Sequence, residues 1–200
     1  MQPKAFPKAP TLVLVITNDS AVFLKNGVAS AYEMFGGRVQ EVKRLVARLD
    51  LAKKKDSSKL CEVSFGMVTS RFGYVPANYT VMAYPNEEVM ATPEDYERVQ
   101  EQKDYLGVIS YTSKLFDRIV VCVPAAMFAL MLDHDTLPQG RVIAVTSPLF
   151  KDACTERDWL FLERNGPRVG SANADAIVEQ IYELSERVPI HRNGQDDQAS

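Results

Sequence analysis

Residues 11–17 read TLVLVIT, an unbroken run of aliphatic and β-branched side chains, followed at once by Asn18, Asp19 and Ser20. A strand with one solvated face alternates apolar and polar residues. A strand that is apolar at nearly every position is covered on both faces, as in a parallel sheet sandwiched by helices. Three further runs share this character: CEVSFGMV (61–68), DRIVVCV (117–123) and RVIAVTS (141–147).

Helical patterns separate these runs. ASAYEMF is a short helical piece closed by Gly36 and Gly37, and RVQEVKRLVARLDLA places Val39, Val42, Leu45, Val46 and Leu49 on one stripe. Thr92-Pro93-Glu94-Asp95 opens a helix running toward Phe116, with Gly107 its weak point. PAAMFALML starts a helix at Pro124, and residues 171–188 are amphipathic through Ile177, Ile181, Leu184 and Val188. TERDWLFLERNG (155–166) has no clear period and is read as a helix ending at Gly166; residues 70–90, with two X-Pro steps, are read as a long ordered loop or a small excursion. Strands alternating with helices predict an α/β fold: three layers, a mostly parallel open sheet with helices on both faces, Rossmann-like. Residues 1–10, with Pro3, Pro7 and Pro10, form an extended lead-in; residues 11–188 form one domain; residues 189–200 are a disordered tail.

Composition narrows the function classes. Two hundred residues, 46% hydrophobic and 24% charged, suffice for a substantial core without a metal or disulfide staple. A net charge of −3 argues against a duplex-DNA binder that relies on phosphate neutralisation. No apolar run approaches the roughly 18 residues of a membrane span, and MQPKAFPKAP is too short and proline-broken for a signal peptide. Three dispersed cysteines indicate a reducing, cytoplasmic setting, and two histidines without ligand spacing give no zinc site. GxGxxG, P-loop and GxSxG motifs do not occur, so no cofactor is assigned.

In an open α/β sheet, ligands bind beyond the carboxyl ends of the strands. Those positions hold Asn18, Asp19 and Ser20 after the first strand, Ser70, Arg71, Phe72 and Gly73 after the second, Pro124 after the third, and Thr146 and Ser147 after the fourth. Hydroxyls, a carboxylate, a cation and an aromatic face suit a polar ring or a phosphate. Asp19 is the candidate for acid–base work or a ribose hydroxyl, because a carboxyl ending a buried strand can have its pKa tuned. Arg71 would hold phosphate or a carbonyl, Phe72 or Tyr74 would stack, and Ser20, Ser70 and Ser147 would hydrogen-bond. The plainer account of TSRFGYVP (69–76) is a turn in which Gly73 supplies a positive φ and Arg71 pairs with an acid. A second candidate is PRVGSANAD (167–175), where Arg168 and Ser171 at a helix start would form an anion site; a Ser cap beside a solvated Arg is the alternative. Asp133-His134-Asp135 and the Glu87–Glu88 pair read as solvated.

Ser70-Arg71-Phe72-Gly73-Tyr74-Val75-Pro76, followed by Tyr84-Pro85, resembles the turn of a family of prokaryotic and phage α/β domains. Related domains occur in archaeosine synthase and beside tRNA-guanine transglycosylase-like enzymes. TLVLVIT, the Ala-Tyr-Phe pattern of Ala29 or Ala31, Tyr32 and Phe35, and the Ser147-Pro148-Leu149 turn resemble that family in the same order, over about residues 11–150. Many members carry Cys and Lys after the first strand, where this chain has Asn18, Asp19 and Ser20, and the Pro-Cys-x-x-Lys-Pro-Tyr run of archaeosine synthase is absent. The resemblance implies the fold and a nucleobase or nucleotide neighbourhood, without a reaction. The function expected is binding of a nucleobase, nucleoside or nucleotide at the strand ends, in nucleic-acid base modification. The alternative is a non-catalytic module that docks an RNA-modifying partner enzyme.

Overall fold

The structure is a computed structural model that describes residues 10–166 and 168–187. The extended lead-in, apart from Pro10, and the tail at 189–200 lie outside the described residues. In chain order the elements are β1 (Thr11–Asn18), β2 (Val28–Ser30), α1 (Ala31–Met34), α2 (Val39–Leu51), β3 (Cys61–Thr69), β4 (Gly73–Pro76) and β5 (Thr80–Met82). They continue with α3 (Pro93–Lys103), α4 (Tyr105–Ser113), β6 (Arg118–Cys122), α5 (Ala125–Asp133), β7 (Val142–Thr146), α6 (Lys151–Glu156), β8 (Leu160–Glu163) and α7 (Ser171–Arg187).

The main sheet has the order β4-β3-β1-β6-β7-β8. All neighbours pair in parallel except β4, which lies antiparallel on the β3 edge. Each strand predicted from a doubly buried run is a parallel strand of this sheet. Leu14, Ile16, Ile119, Val121 and Ala144 pack on one face with Tyr96, Val99, Ile109, Met127 and Phe128 of α3, α4 and α5. Val13, Val15, Met67, Val120 and Val145 pack on the other with Val42, Leu45, Leu49, Ile177 and Ile181 of α2 and α7. The three-layer α/β architecture therefore follows from strands whose odd and even positions are both apolar.

Counted among the parallel strands alone, the order is 2-1-3-4-5, a doubly wound arrangement. The chain leaves β1 for a helix on one face and leaves β6 for a helix on the other, so the switch point falls between β1 and β6.

Three segments depart from the sequence expectations. Residues 160–163 are β8 rather than the end of a helix; the helix is the six-residue α6. The stretch after residue 70 contains β4 and β5, and β5 pairs antiparallel with β2 as a separate ribbon. The predicted helix toward Phe116 divides at Asp104, whose φ of 45° ends α3, and whose side chain then caps α4 by accepting from Gly107 N–H at 3.3 Å. Cys61, Cys122 and Cys154 are buried free thiols. Among the described residues no helix is long and apolar enough to cross a membrane, and no cluster of His, Cys, Asp or Glu could hold a metal.

Candidate functional site at the carboxyl edge of β1 and β6

The parallel register sets what meets at the switch point. β1 pairs Thr17 with Cys122, and β6 pairs Val121 with Ala144. Continuing both registers places Asn18, Val123 and Thr146 in one row. Alternation puts their side chains on the face of Ile16, Val121 and Ala144, where α3 and α5 pack. Asp19, one residue on, turns to the opposite side.

Asp19 is 1% exposed. Its backbone extends the β1–β3 ladder by donating to Val68 O at 2.8 Å. Its Oδ2 accepts from Ser70 N and Ser70 Oγ, both at 2.8 Å, and from the Tyr84 hydroxyl in a short hydrogen bond. Ser70 Oγ in turn accepts from Met90 N at 2.9 Å. Three donors thus converge on one carboxylate oxygen, and the other, Oδ1, is buried without a partner. Burial pushes the Asp19 carboxyl above its ordinary 3.8, against the opposing pull of Tyr84, Ser70 and the Arg168 charge. Burial, reinforced by the Asp19 charge, pushes the Tyr84 phenol upward as well.

Arg168 closes this end of β1. Its Nη1 donates to Thr17 Oγ1 at 2.9 Å and to Asn18 O at 2.7 Å, and its Nη2 to Asp19 O at 3.3 Å. Thr17 Oγ1 passes the link on to Cys122 O at 2.8 Å, so one guanidinium ties β1 to β6. Burial lowers the Arg168 pKa to about 10, and the neighbouring Asp19 charge partly restores it. Arg164 crosses the same edge: its Nη1 donates to Val123 O at 3.1 Å and its backbone N–H to Thr146 O at 2.9 Å. Asn18 Oδ1 and Thr146 Oγ1 are buried without hydrogen-bond partners. Buried polar atoms left unpaired are uncommon and call for a physical reason. Three of them, Asn18 Oδ1, Asp19 Oδ1 and Thr146 Oγ1, gather where the sheet's topology makes a binding crevice. Tyr96 on α3 is buried, and its hydroxyl makes no hydrogen bond with a described residue. Burial raises its pKa to about 12, with the charges of Arg168, Asp19, Asp95 and Arg164 acting on it.

The sequence candidates divide. Asp19, Ser70 and Arg168 meet at this edge. Ser20 lies beside it but is spent on the chain, its Oγ donating to Gly36 O at 2.9 Å. Ser147 caps a single 3-10 turn by accepting from Leu149 N at 3.4 Å. Arg71 makes a two-pronged ion pair with Glu88, at 3.0 and 2.6 Å, and lies over the Tyr84 ring at 5.4 Å. Phe72 packs edge-on against Tyr84 at 6.4 Å, and Gly73 takes φ 70°. The geometry of residues 71–73 is thus that of the plainer turn account. Arg168 and Ser171 do not form one anion site. The Arg168 guanidinium is consumed by β1, and Ser171 lines a separate groove of about 370 Å³ with Glu41, Arg44, Arg48 and Gly170.

Tyr84, Tyr96 and Arg164 carry no assigned role from the sequence, and Asn18 and Thr146 are named there only as strand-end positions. A polar residue ending a doubly buried strand was the available signal for Asn18 and Thr146. Arg164 had no signal while β8 was unrecognised. No protein-family model, no curated protein and no solved structure matches this chain.

Proposed function

We propose that the carboxyl edge between β1 and β6 binds a nucleobase, nucleoside or nucleotide, with Asp19 as the group that reads it. The observation carrying this reading is the pair of unpaired, buried acceptor oxygens on consecutive residues, Asn18 Oδ1 and Asp19 Oδ1. Unpaired acceptors, one of them on a carboxylate whose other oxygen is held by three donors, call for N–H or O–H groups on the ligand, which a base edge or a ribose supplies. A carboxyl with a raised pKa is also suited to exchanging a proton with a ring nitrogen. The setting of nucleic-acid base modification rests on the family resemblance over about residues 11–150 alone.

Binding without turnover is the second reading. It is favoured by the burial of Asp19 Oδ1 and by Arg71 already holding Glu88. In both readings the site is the same.

The test is a thermal-shift and calorimetric screen of purified protein against nucleobases, nucleosides and nucleotides. A ligand at 100 times its Kd stabilises the fold by about 2.7 kcal/mol. The shift should vanish in Asp19→Asn while circular dichroism stays unchanged. Undiminished binding in that variant would remove Asp19 from the site and the reading with it.

A further inference from the structure

α5 begins at Ala125, after Pro124, at the carboxyl end of β6, and no side chain caps it. The first of its hydrogen bonds is Phe128 N to Pro124 O at 2.9 Å. The N–H groups of Ala125, Ala126 and Met127 therefore donate to no described residue, as the first turn of an uncapped helix must leave them. Pro124, Ala125 and Ala126 are partly exposed, so this turn is open from outside. A helix start alone says little, but independent observations converge on this one.

The first is Thr146. It is 1% exposed, and its hydroxyl has no partner. The register places it beside Val123, the residue just before Pro124, and its side chain is on the face that α5 covers. A buried hydroxyl without a partner at that spot lacks the acceptor it is placed to serve. The second is Arg164. Its backbone donates to Thr146 O and its Nη1 to Val123 O, so its guanidinium is tethered between the ends of β6 and β7. It forms no ion pair with any described carboxylate. A tethered guanidinium, a free hydroxyl and three free helix N–H groups are all donors, the helix dipole adds positive potential, and the Glu163 carboxylate stands in register beside Thr146. Asn18 flanks Val123 on the other side, and its unpaired Oδ1 is an acceptor rather than a donor.

We propose that the N-terminus of α5, Thr146 Oγ1 and Arg164 form a phosphate subsite. Resting on the reading of Asp19 as the base- or ribose-binding group, the compound held at this edge is a phosphorylated nucleoside, its phosphate on the α5 side of the sheet and its nucleoside toward Asp19. The subsite lies apart from the Arg71 turn and from the groove at Ser171, the two places where the sequence suggested an anion.

The experiment titrates the full chain with inorganic phosphate against chloride at constant ionic strength, following Tm by calorimetry. Phosphate should raise Tm in the wild type. The rise should fall at least several-fold in Thr146→Val, which keeps the side-chain shape, and in Arg164→Gln. Arg164 is only partly buried, so Arg164→Gln remains readable if Thr146→Val fails to fold. No rise over chloride in the wild type, or a full rise retained in Arg164→Gln, overturns the subsite. Nucleosides assayed on the same samples separate the two ideas: a nucleoside shift with no phosphate shift sinks the subsite, and a phosphate shift with no nucleoside shift sinks the base reading.

Discussion

At the scale of single residues, Asp19 carries the most information. The sequence marks it as the carboxyl at the end of a doubly buried strand, and the structure places it at the switch point with Ser70, as the strand-end argument requires. The third donor, Tyr84, lies 65 residues away in sequence, and nothing local to either residue announces the contact. Arg71 shows the converse. It was attractive because it sits at a strand end, but its partner Glu88 belongs to a loop whose path only the fold sets. The burial of Asp19 has a consequence for pH. Its folded pKa lies above the ordinary 3.8, so the folded state holds this proton more tightly than the unfolded chain does. Its contribution to stability is complete below that ordinary value and is lost as pH rises through the raised folded value. Urea denaturation across acidic to neutral pH should show this loss in the wild type and not in Asp19→Asn. Identical pH profiles for the two proteins would place the ionisation elsewhere.

At the scale of elements, the long doubly buried strands were legible and the edges were not. β1, β3, β6 and β7 each have apolar residues on both faces. β8 has four residues, none fully buried, so the local pattern that identifies a central strand is missing. Gly107 drew attention as a helix breaker, yet the break is made by Asp104, an αL residue that any helical pattern would accommodate in sequence. The β3–β4 edge depends on a different glycine. A Cβ at Gly66 would lie 2.1 Å from the Tyr74 hydroxyl oxygen and 2.4 Å from its Cζ, so the ring of Tyr74 lies flat over the bare backbone. That ring is rigid and largely buried, and it cannot yield by a simple rotation of its end. Gly66→Ala should therefore cost about 2–3 kcal/mol, at the upper end of overpacking penalties. Loss of amide-exchange protection should be concentrated in β4. A change within 0.5 kcal/mol would mean that Tyr74 has another place to go.

At the scale of the whole molecule, strand order was the decisive unknown in the sequence. The candidate site depends on β3, β1, β6 and β7 being adjacent, and Arg168, which ties β1 to β6, comes after the last strand. Removing it exposes three acceptors at the end of β1 without a donor. Arg168→Met should destabilise by roughly 3 kcal/mol, and Arg168→Lys should recover only part, because an ammonium cannot reproduce the fork. Chemical denaturation of both variants measures this; a loss below 1 kcal/mol would show that the clamp is dispensable. The clamp also orders events in time. Arg168 reaches back 151, 150 and 149 residues to Thr17, Asn18 and Asp19. During synthesis, the ribosome makes the site's carboxylate first and the cation that secures it only after roughly 150 more residues. At ordinary translation rates that interval is about 8–30 s. β6 ends at Cys122, well before Arg168, so within that interval the ends of β1 and β6 can meet before the cation that ties them has been made.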